Sequence, residues 1–352
     1  MEKNMENKQE EILESKQKDE GEIIDEKTPS QEDLEDHNET NITEVKSRQI
    51  EEPIFKEIED KRSFFLGEYR KFRLVNTIIM FVAMAVLVGA FIGFSFLQPY
   101  GIWIAIGITV LALVGVFIYT RFSKKRIEEK VQNYTIYLFK TYNEYLFDDS
   151  NYKDLHINSE STITLEEFQS ALIYKDITSV NGRNLLSATF KDHALRSSDM
   201  VAYINQKDEK GRIKTVPMFV GKYIALQCDV EVEDVVLIYV KGHSNLVTLP
   251  SMASELNLLV DEKTFQIYGK EDDKKKIITN QILQSLRKIK VDDVVLDISI
   301  SIQKGLITVM MNIDDAFMIL PFQNAFDSAP IKAVHKAILS MNNVLSKLCE
   351  KK

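Results

Sequence analysis

From Leu74 to Thr120 the chain runs for 47 residues without one charged side chain. Gln98-Pro99-Tyr100-Gly101 divides the run into Val75–Leu97, 23 residues, and Ile102–Tyr119, 18 residues. A helix rising ~1.5 Å per residue needs about 20 apolar residues to cross ~30 Å of hydrocarbon. The first segment is ample and the second just reaches, with Tyr100, Trp103 and Tyr119 suited to the interfaces. The reading is a transmembrane hairpin over residues 74–120, with spans 75–97 and 102–119. Core helices of soluble proteins are seldom this long, and rarely come as an adjacent pair between basic clusters.

Flanking charge sets the expected orientation. Lys61, Arg62, Arg70, Lys71 and Arg73 precede the first span; Arg121, Lys124, Lys125, Arg126 and Lys130 follow the second. The turn between the spans holds no Lys or Arg. Positive residues close to span ends stay on the cytoplasmic side. Arg70, Lys71, Arg73, Arg121, Lys124, Lys125 and Arg126 are therefore the expected topology anchors, in an inner membrane with both termini cytoplasmic. The acidic N-terminus lacks an early apolar core, so a cleaved secretory signal is not expected.

The net charge of −9 resides wholly in the first 50 residues, which hold 16 Asp+Glu and 7 Lys+Arg. The rest is neutral, with 53−16 = 37 acids against 44−7 = 37 bases. Residues 1–52 contain no aromatic side chain and read as a disordered acidic tail. A neutral body offers no concentrated basic face, which argues against nucleic acid as a ligand. Cys228 and Cys349 lie 121 residues apart without CxxC spacing. In a cytoplasmic domain both are expected to be reduced and structural.

The segments bordering the spans read as helices. Residues 53–73 repeat apolar side chains at Ile54, Ile58, Phe65, Tyr69 and Phe72, with Pro53 suited to a first helical turn. Residues 121–147 carry a heptad-like coiled-coil seam at Ile127, Val131, Tyr134, Leu138, Thr141 and Tyr145. Each arm is expected to be one near-continuous helix that crosses the bilayer and projects as a stalk. The alternative is a bend at Gly67 that lays the pre-span segment in the interface. Inside the membrane, Ala85, Gly89 and Gly93 share a face at four-residue spacing, and Gly107 and Gly115 are candidates for the opposing face.

Beyond the stalk the rhythm changes to period two. Leu185–Lys191, Ala194–Asn205, Ile213–Gln227 and Val235–Val240 read as strands of an antiparallel meander within a β-rich module, 148–250. Pro217 demotes its strand to an edge or a break. Asp148–Ser161 reads as loop, and Thr164 with Glu167 as a capping box. A second α+β module, 251–352, has strands Leu256–Val260 and Thr264–Tyr268, helix Lys274–Ile289, hairpin Val294–Ile302/Leu306–Ile313 and terminal helix Lys332–Leu348. The fold class is α+β: a two-helix hairpin and stalk, then an antiparallel sheet with segregated helices.

Two N-terminal spans, a heptad-bearing helix and this β-rich layout resemble an uncharacterised bacterial family of two-span membrane proteins carrying the domain of unknown function 3137. The residues that carry the resemblance are Ser187-Ala188-Thr189-Phe190, Met218-Phe219-Val220-Gly221 and Phe265-Gln266-Ile267-Tyr268-Gly269. Where the family tends to Leu-Thr-Pro, this chain has Ile278-Thr279-Asn280. The resemblance spans roughly residues 60–350 and implies a bacterial membrane setting. It also implies a complex with small membrane-anchored helical proteins; it implies no activity.

No catalytic, cofactor or metal residues stand out. His37, His156, His193, His243 and His335 lack metal-ligand spacing. Asp192-His193 and Lys241-Gly242-His243-Ser244 read as turns, Asp292-Asp293 and Asp314-Asp315 as strand-end caps. No phosphate-binding glycine loop occurs. The expected function is an integral membrane scaffold whose partners are the lipid bilayer and another protein or a second copy, with no nucleic acid. The alternative is a membrane-anchored sensor of a small ligand.

Overall fold

The computed structural model describes residues 52–96, 100–208, 210–242, 249–289, 291, 293–313 and 324–350. The tail before residue 52, Gln98-Pro99, His243-Ser244, Asp292 and Asp314-Asp315 lie outside the described residues.

Helix α1 runs Pro53–Ser95 and α2 runs Gly101–Leu146, 43 and 46 residues. Both arms are continuous, and α1 passes through Gly67 without a break. Both are long and apolar enough to cross a membrane. Of their most apolar windows, 0% and 6% is buried in protein, whereas a core helix would be mostly covered. Phe81, Phe96, Trp103 and Leu111 are each more than two-thirds exposed.

The ends of the helices farther from the turn behave differently. Phe55, Ile58, Tyr134, Leu138, Tyr142 and Leu146 are buried in the larger of two hydrophobic cores. The segment 121–147, expected as a projecting stalk, therefore becomes a core helix in its second half. Its heptad seam is supplemented by Phe139, Tyr142 and Phe147, which widens the apolar stripe enough to face α1 and the sheet together.

All described strands join one nine-stranded antiparallel sheet, in the order β1-β2-β3-β4-β9-β8-β5-β7-β6. They are β1 Tyr152–Asn158, β2 Ile177–Phe190, β3 His193–Lys207, β4 Ile213–Gln227, β5 Val236–Val240, β6 Asn257–Asp261, β7 Phe265–Gly269, β8 Val295–Gln303 and β9 Leu306–Ile313. The spans 148–250 and 251–352 thus share a sheet rather than forming separate ones. The physical reason is β5: all five of its residues are buried, so it has no solvent face and sits between β7 and β8. Among the described residues β9 pairs Gly221–Gln227 of β4, and Pro217 lies beyond that pairing, next to a register shift in the β3–β4 ladder. The expected loop 148–161 contains β1, an edge strand with only Tyr152 buried, too polar to announce itself.

The shorter helices are α3 Leu165–Ser170, α4 Glu271–Ile277, α5 Asn280–Leu286 and α6 Ala329–Cys349. The expected helix 274–289 is two, because Ile278 turns extended and Thr279 caps α5 through Ile282 N–H. The Thr164/Glu167 capping box forms as expected at α3. One face of the sheet packs α1, α2, α5 and α6; the other carries a smaller core around Phe168, Tyr174, Phe219 and Tyr239.

Between the apolar halves of the two helices, the less exposed positions include Asn76, Ile79, Ala83 and Leu87 on α1, and Ile108, Thr109, Ala112 and Val116 on α2. Ala85 and Gly89 lie two residues from Ala83 and Leu87, roughly 200° round the helix, and face away. A Cβ added at Gly89, Gly93, Gly107 or Gly115 would meet nothing within 4 Å. The small residues expected to pack the hairpin are not brought together. Changing Gly89 and Gly93 jointly to Ile should accordingly leave the detergent-state melting temperature within about 1 °C. A fall of several degrees in a thermal scan would show a packing role.

Candidate functional site

Two clusters of buried polar side chains lie on opposite faces of the sheet. The first lies where α2 meets the strands. Lys222 on β4 and Asp199 on β3 are direct cross-strand partners, and both side chains are almost completely removed from solvent. Lys222 Nζ stands 2.7 Å from Asp199 Oδ1 and donates to Asn143 Oδ1 of α2 at 2.9 Å. The other carboxylate oxygen of Asp199 accepts from Tyr142 OH of α2 and from Asn184 Nδ2 of β2, the latter at 2.7 Å. Asn143 Nδ2 returns to its own helix at Phe139 O, 2.9 Å.

Local backbone explains why these groups converge. Asn184 occupies a left-handed conformation, φ 59°, at a register shift in β2 that turns its amide inward. Gly221 has φ +156°, and a Cβ there would fall 1.9 Å from Met311 O, so only glycine lets β4 approach β9 next to Lys222. Lys222 Nζ also sits 5.6 and 5.7 Å from the rings of Tyr142 and Phe147. The neighbouring Arg183 stacks 3.7 Å over Phe139. Burial, with the Asp199 charge beside it, pushes the Tyr142 phenol well above its ordinary range, so it remains a donor. Burial lowers Arg183. The constellation ties three strands to the helix that continues into the apolar span.

The second cluster is on the other face. Asp297 of β8 is fully buried, and Asn312 Nδ2 of β9 donates to its two oxygens at 2.9 and 3.0 Å. Asn312 Nδ2 also reaches Tyr174 OH at 3.0 Å. No cation is placed against Asp297 among the described residues. Burial raises its carboxyl to about 7, against the pull of Asn312. Asp297 thus changes charge near neutral pH inside a core.

Of the residues singled out in the sequence, Arg70, Lys71, Arg73, Arg121, Lys124, Lys125 and Arg126 are all exposed, flanking the apolar segments. Arg62, which also precedes the first apolar segment but was not among the expected anchors, is buried in an ion pair with Glu59, Nε to Oε2 2.6 Å. Glu59 in turn accepts from Phe326 N–H at 3.0 Å, which fastens α1 to the segment before α6. Lys130 pairs with Glu68 across the helices at 2.7 Å. His156 is exposed on β1, and His335 packs its ring 4.6 Å from that of Tyr145.

Cys228 and Cys349 do not remain apart. They form a disulfide, Cα–Cα 5.8 Å, which joins the residue after β4 to the last residue of α6. His193, at the β2–β3 turn, lies beside them. That turn is the two-residue Lys191-Asp192, both at positive φ (45° and 70°), a hairpin geometry that fixes the histidine's position. Neither Lys222, Asp199 nor Asp297 was expected as a site residue; Asp297 occupies the polar beat of an alternating strand, which reads as solvent-facing, while Lys222 and Asp199 are single charges in β-rich runs with no motif spacing around them. Compared with family models, curated proteins and solved structures, the chain finds no significant match in any of the three.

Proposed function

We propose that the chain is a two-span membrane protein that carries its α+β domain on the cytoplasmic side and works there as an assembly partner. One observation carries this reading. The helices whose apolar halves lie uncovered continue without interruption into the domain core, where Tyr142 and Asn143 bind the buried charges of the sheet. Anchor and domain are therefore a single packed body, a design suited to presenting a surface at a defined height and angle.

The basic residues at both outer flanks support a cytoplasmic location for the domain. The Cys228–Cys349 pairing pulls the other way, because disulfides persist in oxidising compartments. A tag after Lys352 decides between them: it should resist protease on intact cells and be cleaved after permeabilisation. Carbonate-washed membranes should retain the protein. Protein released by carbonate, or a tag cut from outside, overturns the location.

For the assembly role, cross-linking in membranes followed by purification should recover a discrete higher-mass species. A bare monomer across several cross-linkers and detergents would remove the role. A small helical membrane protein is the partner class implied by the sequence resemblance to the two-span family carrying the domain of unknown function 3137. A sensor role has one favourable observation: a groove of about 1060 Å³ bordered by Lys276, Lys304, Lys347 and Asp229. A small ligand there would raise the melting temperature by mass action.

A further inference from the structure

The geometry points to a zinc site made by His193, Cys228 and Cys349 when the two sulfurs are in the dithiol form. Three separate elements deliver the ligands: the β2–β3 turn, the exit of β4 and the last turn of α6. One ring nitrogen of His193 and the two Sγ atoms all lie within 4.8 Å of one another. Tetrahedral zinc, with bonds of ~2.3 Å to sulfur and ~2.0 Å to nitrogen, sets its ligand atoms ~3.6 Å apart. The existing cluster reaches that spacing by movements of about 1 Å.

The backbone already holds the ligands in place. Cys228 is buried, and its N–H donates to Gly305 O at 3.2 Å in the β8–β9 turn. Cys349 ends a 21-residue helix, and His193 follows a rigid two-residue turn. Thiolate and imidazole are the donor types that select zinc over hard cations. Three protein ligands leave the fourth position open, as in sites where zinc keeps a water. The groove bordered by Asp229, Gly305, Leu348 and Glu350 runs past the immediate neighbours of both cysteines.

The chemistry balances in two steps. A dithiol reductant, the class that keeps cytoplasmic cysteines reduced, gives two electrons and two protons to the S–S bond and itself becomes a disulfide. Zn²⁺ then displaces both thiol protons, forming two Zn–S bonds and one Zn–N bond. In the cell this site rests on the cytoplasmic location proposed above; its capacity to bind zinc in vitro does not.

The full chain in detergent, reduced with a phosphine and freed of it without air, should retain one equivalent of Zn²⁺ through gel filtration. Co²⁺ in place of zinc should give a thiolate charge-transfer band and the strong visible absorption of tetrahedral cobalt. Cys228→Ser and Cys349→Ser should each lose stoichiometric zinc. His193→Ala, which truncates a partly exposed side chain at the start of β3, should bind at least tenfold more weakly. Reduced protein with two countable thiols that holds no zinc overturns the site, as does a His193→Ala variant with unchanged affinity. Alkylation trapping in whole cells separates the location: a pair found oxidised there refutes the cytoplasmic reading and leaves the in-vitro result standing.

Discussion

Replacing Lys222 by Met lowers the melting temperature of the detergent-solubilised protein by ~6–20 °C. The substitution keeps the stem packed against Tyr142 and Phe147 but strands the Asp199 carboxylate, whose side chain is only 1% exposed. Removing one member of a buried ion pair costs about 3–5 kcal/mol, and each kcal/mol shifts the midpoint of a domain this size by about 2–4 °C. Tyr142 and Asn184 still donate to Asp199, which keeps the loss nearer the lower end. The double variant Lys222→Met/Asp199→Asn removes both charges and recovers part of the loss. A thermal scan of the two singles and the double completes the cycle. A Lys222→Met protein that melts with the wild type would show that the pair carries no stability.

Asp297 governs the second large effect, and its sign follows from proton counting. Its folded pKa, about 7, stands above the ordinary 3.8, so between those values the folded state binds the extra proton. Stability therefore falls as pH rises through that window and levels off above it. At about 1.4 kcal/mol per pKa unit, the charged form costs the fold about 4 kcal/mol at pH 8. Asp297→Asn removes that cost. The variant should match the wild type near pH 4 and melt several degrees higher at pH 8. Equal melting temperatures across pH 4–8 would show that Asp297 does not take up the proton.

How far the sequence reaches depends on whether a signal is local. The two long apolar helices are legible because the absence of charge over 47 residues is a property of adjacent positions. So are the capping box at Thr164, and the hairpin of β8 and β9, whose partners are neighbours in the chain. The place of β5 is not, since Val236–Val240 reads the same whether it ends a meander or enters between β7 and β8. The merging of stalk and core was hidden because a heptad seam reports a stripe and not the width of surface that covers it.

The buried charges failed to announce themselves for a related reason. In Val295–Gln303, Asp297, Ser299 and Ser301 alternate with isoleucines as a strand with one wet face does. Here that face is part of the smaller core, with Tyr239 beside it on the adjacent strand β5 and Tyr174 from a distant segment. Cys228 and Cys349 show the limit again: 121 residues separate them, and only the sheet and α6 together bring their sulfurs side by side.

The unbroken passage of α2 from apolar segment to core sets a clearance. On the proposed two-span reading, with the bilayer edge at Thr120 and the first deeply packed ring at Tyr134, ~14 steps of 1.5 Å put ~20 Å of α2 between the lipid and the sheet domain. One or two helices lying flat on the lipid would fit that gap, each ~10–12 Å thick. A globular body of ordinary size would not, and would have to approach from the side or from above.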